Sequence, residues 1–170
     1  NSASAPQIGY RVWNGSVWGD EKYYATLRTS AVVQGLQSAE RPASDEIGVV
    51  WIGDDYAISA TKWDGTTLDS GSEPAAAFAT DVARGTAGSP NTGYQESYGI
   101  TFETTSGDLL VFYGVEGDTF LELRGRPSGS AWTISDSLNV GREIGSMSVA
   151  SSPISDKVSI GEYFSGGGHA

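Results

Sequence analysis

Two short elements recur along the chain, and their repetition limits the possible folds more than any single residue does. The first is a strand end, a tight turn and a returning strand. Val12-Trp13-Asn14-Gly15-Ser16-Val17-Trp18 is matched by Lys62-Trp63-Asp64-Gly65-Thr66-Thr67-Leu68, and Arg126-Pro127-Ser128-Gly129-Ser130-Ala131-Trp132 is a degenerate third copy. Asn-Gly and Asp-Gly tolerate positive φ at both central positions of a type I′ turn, so each copy is expected to close a hairpin. The second element is Pro42-Ala43-Ser44-Asp45-Glu46-Ile47-Gly48-Val49, matched by Pro153-Ile154-Ser155-Asp156-Lys157-Val158-Ser159-Ile160, with Thr105-Ser106-Gly107-Asp108-Leu109-Leu110-Val111 between them. In each, a turn closed by Asp launches an apolar strand. The spacing gives a unit of about 55 residues, of which the chain holds about three. The launch element at Pro153 has no Trp-turn after it, and the Trp-turn at Trp13 has no launch element before it, so each end carries half of one unit.

Helical periodicity is absent, and the 23 glycines interrupt almost every stretch. Short runs rich in Val, Ile, Thr and aromatics predict strands at 9–12, 23–27, 46–52, 57–63, 98–104, 108–113, 119–124, 131–135 and 157–164. The segment 70–94 reads as a long loop with one short helical turn near Glu73 to Val82. The expected architecture is all-β: a single domain over 1–170 built of antiparallel sheets, as a β-sandwich or an incomplete propeller.

Charge and composition remove whole classes of function. A formal net charge of −11 leaves no basic patch for nucleic acid or for an anionic membrane surface. The absence of cysteine excludes disulfides, thiolate chemistry and Cys-type zinc. No apolar run approaches the roughly 20 residues of a spanning helix. The opening Asn1-Ser2-Ala3-Ser4-Ala5-Pro6 reads as the small-residue start left by processing of an exported protein. The expected location is therefore extracellular or on the cell surface.

Tyr10-Arg11-Val12-Trp13-Asn14-Gly15-Ser16-Val17-Trp18, taken with Asp45-Glu46-Ile47-Gly48-Val49-Val50 and Ser106-Gly107-Asp108-Leu109-Leu110-Val111, resembles a group of repeat-bearing surface proteins of bacteria and archaea. Their repeats read Tyr-Arg-x-Trp-Asn-Gly-Ser-x-Trp. The resemblance implies an extracellular, non-catalytic protein of propeller-like or sandwich-like β-modules.

Residues that could carry chemistry are few. The only histidine, His169, follows Gly166-Gly167-Gly168 and lacks the rigid support a catalytic relay needs. Glu96, Glu103, Glu162 and the Asp54-Asp55 turn are the carboxylates from which a glycosidase-type pair would have to come. No Asp-x-Asp-x-Asp calcium loop occurs. Asn14-Gly15-Ser16 is a glycosylation sequon as well as a turn. Lys22, Lys62 and Lys157 are the only candidates for an intramolecular isopeptide crosslink. No catalytic residue, cofactor or metal is assigned.

The split unit suggests strand exchange. An N-terminal extension over 1–13 would donate the strand Ile8, Tyr10, Val12 and Trp13 to an acceptor edge at Val158, Ile160, Glu162 and Phe164, with 165–170 as a Gly-rich tail. Pairing within one molecule would close a ring; pairing between copies would give a head-to-tail fibre. The expected function is that of a structural subunit of a pilus-like extracellular filament, its partner being itself. The alternative is a carbohydrate-binding module, lectin-like, that stacks surface glycans on Trp18, Trp63 and Trp132.

Overall fold

The computed structural model describes residues 7–24, 32–69, 76–82 and 96–164. The Gly-rich tail, His169, residues 1–6 of the expected N-terminal extension and most of the 70–94 loop lie outside them. The described chain is all-β and without helix. Strands β1 (Ile8–Tyr10) and β2 (Lys22–Tyr24) form a hairpin. Strands β3 (Val33–Glu40), β4 (Ile47–Gly53), β5 (Ile58–Trp63) and β6 (Leu68–Asp69) form one antiparallel sheet in sequence order. A second such sheet is made by β7 (Tyr98–Phe102), β8 (Leu109–Gly114), β9 (Phe120–Arg126) and β10 (Ile134–Asn139). Strands β11 (Ile144–Ser151) and β12 (Val158–Phe164) close the series as a second hairpin. None of the four sheets closes into a barrel.

Strand alternation decides how these sheets stack, because successive side chains point to opposite faces. From β4 and β5, Val50, Ile58 and Ala60 face the second sheet and join Ile100, Phe102, Leu109, Val111 and Tyr113 in the largest core cluster. Val49 and Trp51 face the other way and are covered by Ile8 and Tyr24 of the first hairpin. On the second sheet Leu110, Phe112 and Leu121 point outward and are covered by Ile144, Val149, Val158, Ile160 and Phe164 of the last hairpin. The order of layers is hairpin, sheet, sheet, hairpin. Strands β4 and β8 thus have a neighbour on both faces, which is why they read as unbroken apolar runs.

Close stacking requires small residues opposite large ones. A Cβ on Gly35 would overlap the Tyr98 hydroxyl, one on Gly48 would overlap Leu109 and Ile100, and one on Gly99 would overlap Val149. The segment 76–82 caps the two large sheets. Ala79 bridges Ile58, Val82 bridges Val115, and Phe78 stacks on Tyr113 with Trp132 edge-on at 4.7 Å. The helical turn expected here is not formed in the described part; these bridges hold the backbone extended.

The hairpins expected from both repeated elements form. In the Trp-turns, Trp13 bridges Trp18 and Trp63 pairs with Leu68. Asn14 N–H donates to Val17 O at 3.2 Å, and Asp64 N–H to Thr67 O at 3.1 Å. Asn14 Oδ1 accepts the amides of Ser16 and Val17, as Asp64 Oδ1 accepts those of Thr66 and Thr67. Positive φ occurs only at Gly15 (97°) and Gly65 (93°), and not at Asn14 or Asp64. The turns are therefore not type I′: the Asn or Asp side chain organises the bend and only the glycine enters the left-handed region.

The launch elements are the connections β3–β4, β7–β8 and β11–β12. Each is closed by the same backbone bond across four residues: Arg41 N–H to Glu46 O at 2.9 Å, Glu103 N–H to Asp108 O at 2.9 Å, and Ser152 N–H to Lys157 O at 2.8 Å. Asp108 accordingly corresponds to Glu46 and Lys157, one position away from the alignment suggested by its shared identity with Asp45 and Asp156. The stack predicts that Phe102→Ala, which empties a fully buried site between the two large sheets, will cost about 3–5 kcal/mol of unfolding free energy in denaturant melts.

Candidate functional site

The two outer layers hold the residues singled out in the sequence. Ile8 is buried on Trp51. Tyr10 meets Trp63 edge-on with ring centroids 5.6 Å apart. Val12 and Trp13 continue β1 towards the turn, where Trp13 and Trp18 form a tilted pair at 5.4 Å that is 49% and 64% exposed. Trp132 is not on this surface, because it packs on Phe78 beside the main core. Of the three tryptophans expected to stack glycans, only Trp18 and half-buried Trp63 belong to the β1–β2 side.

At the opposite face of the stack, Val158, Ile160 and Phe164 turn their side chains onto the second sheet, and Arg142 lies over the Phe164 ring at 5.9 Å. Burial raises the Glu162 carboxyl above its ordinary range. The side chains of the expected acceptor edge are thus occupied within the chain, and the backbone of β12 on the side away from β11 has no strand partner among the described residues. Likewise β1 is not a loose strand but one half of a hairpin. Its edge away from β2 has no strand partner among the described residues. Strands β1 and β12 lie in different sheets on opposite outer faces, so pairing of the two within one molecule is not what the fold adopts.

Beside the free edge of β1 is a cleft of about 720 Å³. Ile8, Tyr10 and Val12 form one wall, and Leu36, Ser38 and Glu40 of β3 with Ile47 of β4 form the floor. Leu36 is 46% exposed and Ile47 39% exposed, large apolar side chains left open on the face of the sheet turned towards the first hairpin. Sequence reading missed this floor because β3 alternates Gln34, Leu36, Ser38 and Glu40 with Gly35, Gln37 and Ala39, and so carries little apolar signal. The alternation itself was the available clue.

One end of the stack gathers the launch loops into a polar network. Glu46 accepts hydrogen bonds from both Arg41 and Lys62. Burial alone would raise its carboxyl; the bonds from Lys62 and Arg41 outweigh that and hold it below the ordinary value. The Arg41 guanidinium lies against Gly107 of the next loop. Asp156 Oδ1 in turn accepts the amides of Thr105 at 2.6 Å and Ser106 at 3.1 Å, and these bonds lower its pKa. Asp64 is lowered by the Thr67 and Thr66 amides.

The carboxylates considered for catalysis do not converge. Glu96 accepts from Gln37, Glu103 from Ser106, and Asp55 from the Ala57 amide, each in its own loop or strand junction. Among the described residues no group of three or more His, Asp or Glu is placed to hold a metal ion. No family model, curated protein or solved structure matches the chain.

Acid stability follows from the lowered carboxylates. Folding energy from Glu46, Asp64 and Asp156 is fully present above their unfolded-state values and is lost as pH falls through the lower folded values. The melting temperature is expected to hold near neutral pH and to drop below about pH 4. Glu46→Gln should lower it at neutral pH and flatten the acid decline, as read by calorimetry.

Proposed function

We propose that the protein is a structural subunit of an extracellular filament, assembled head-to-tail by strand complementation between copies. The observation that carries this reading is the pair of strand edges, on β1 and on β12, that have no strand partner among the described residues. Hairpin β1–β2 shares its turn bonding with β5–β6, and hairpin β11–β12 shares its loop closure with β3–β4 and β7–β8. The described strands then comprise the last two of a four-stranded unit, two whole units, and the first two of another. The half-units are complementary, and they face away from each other. Contact between different surfaces of identical copies extends indefinitely unless its rotation closes a ring. Exposed strand edges are normally blunted or covered, and here a second copy supplies the cover. No catalytic group is required.

Negative-stain electron microscopy of the full chain beside a version lacking residues 1–13 tests this reading. Fibres that disappear on truncation are expected. Closed rings would overturn the filament while keeping the joint, and discrete monomers in both samples would overturn both.

The exposed Trp13–Trp18 pair favours a second reading, a lectin-like module that stacks sugar rings on these indoles. On that reading Trp18→Ala abolishes binding on a glycan array without changing the melting temperature, since Trp18 supports no core cluster.

A further inference from the structure

We infer that the cleft beside β1 is the seat of the β11–β12 hairpin of a second copy, which completes a four-stranded sheet in a single defined register. This inference rests on the strand-complementation reading above and specifies its geometry. Both complete sheets provide the template. In the first, β4 pairs with β5 so that Ile47 lies opposite Trp63 and Val50 opposite Ala60. In the second, β8 pairs with β9 so that Leu109 lies opposite Arg126 and Phe112 opposite Leu123. The loop closures equate Ile47, Leu109 and Val158, since each directly follows the closing residue. The turn bonds equate Trp13 with Trp63. The first sheet, whose turn is bonded like the one after β1, then gives the missing joint: Val158 opposite Trp13, Ser159 opposite Val12 and Gly161 opposite Tyr10; by strand register Arg126 of the second sheet takes the place of Trp63.

The facing surfaces fit this placement. On β12 the positions facing away from the second sheet are Ser159, Gly161 and Tyr163, all exposed, the last at 57%. On β11 the corresponding positions include Ser148 and Ala150. Apart from Tyr163 this is a small-residue face, the counterpart of the Gly35 and Gly48 surface between the two large sheets and of the Gly99 surface below the last hairpin, which admit bulky side chains. Across the joint it meets Leu36 and Ile47, which have no covering layer over them among the described residues. The equivalents of Leu36 and Ile47 in the second sheet are Tyr98 and Leu109, which are buried against the preceding layer. Trp13 gains a partner as well. Its equivalent Trp63 packs on Tyr10 of the layer before it, and the residue equivalent to Tyr10 one layer earlier is Leu123. A joined copy therefore lays Leu123 against the exposed face of Trp13.

The chain has no cysteine, so introduced pairs report the joint directly. Oxidation of a Val12→Cys, Ser159→Cys double variant is expected to give a ladder of disulfide-linked oligomers, with each single variant stopping at dimers. The shifted pair Val12→Cys, Gly161→Cys should crosslink at least tenfold less. A ladder from the shifted pair instead would overturn the register while leaving filament assembly standing. Fibres with neither crosslink would overturn this seat for the hairpin, and a protein that stays monomeric would take the strand-complementation reading down with it. Gly161→Glu is the companion variant. A Cβ there meets only Ser148 O at 4.0 Å, so the single chain should melt as before. In the joint the carboxylate would enter a dry layer junction, and fibres should be lost; unchanged fibres would count against the seat.

Discussion

Everything else in this molecule depends on how closely its layers approach. Two of the three layer junctions set a bare backbone position against a bulky side chain: Gly35 under Tyr98 and Gly48 under Leu109 and Ile100 between the large sheets, and Gly99 under Val149 below the last hairpin. A methyl group at any of these positions would push the sheets apart and break contact across the junction. Close packing at interior density is what makes a stack of thin sheets stable, because each sheet alone presents two apolar faces and has too few strands to bury either. The small residues usually read as weakening a strand are here the condition for stacking strands in layers.

The same constraint explains how far the sequence could be read. The strongly apolar strands β4, β5, β7, β8 and β12 were legible, since Val, Ile and aromatic residues recur with clear turn signals between them. Strands β3 and β11 were not, because their sides towards the next layer are built from Gly, Ala, Ser and Gln. The repeated elements were found, yet their phase was displaced by one residue at Asp108, where side-chain identity and backbone closure disagree. The bend chemistry was also half legible. Asn-Gly and Asp-Gly do mark the hairpins, but the work of the first residue is done by its side-chain oxygen rather than by its backbone.

The outer surface was less legible than the core. Trp13, Trp18, Trp63 and Trp132 look alike in sequence, and only the fold separates the one that seals the cap over the main core from those near the β1 edge. The cleft floor was signalled only by the alternation along β3, and placing it also requires knowing which face of that strand lacks a neighbour. The polar network at the loop end was visible only as scattered charges. Asp156 was noted as a turn residue, whereas its oxygen joins two loops that lie far apart in sequence.

Strands β4 and β8 have protein on both faces and a hydrogen-bonded strand along each side. Water therefore reaches their amides only when a whole layer lifts away, and no local fraying of a loop can expose them. The outer hairpins, covered on one face only, are the layers that can leave first. The molecule is built to come apart from its two ends inward, as sheets leave a stack, and the middle of the chain keeps its structure longest.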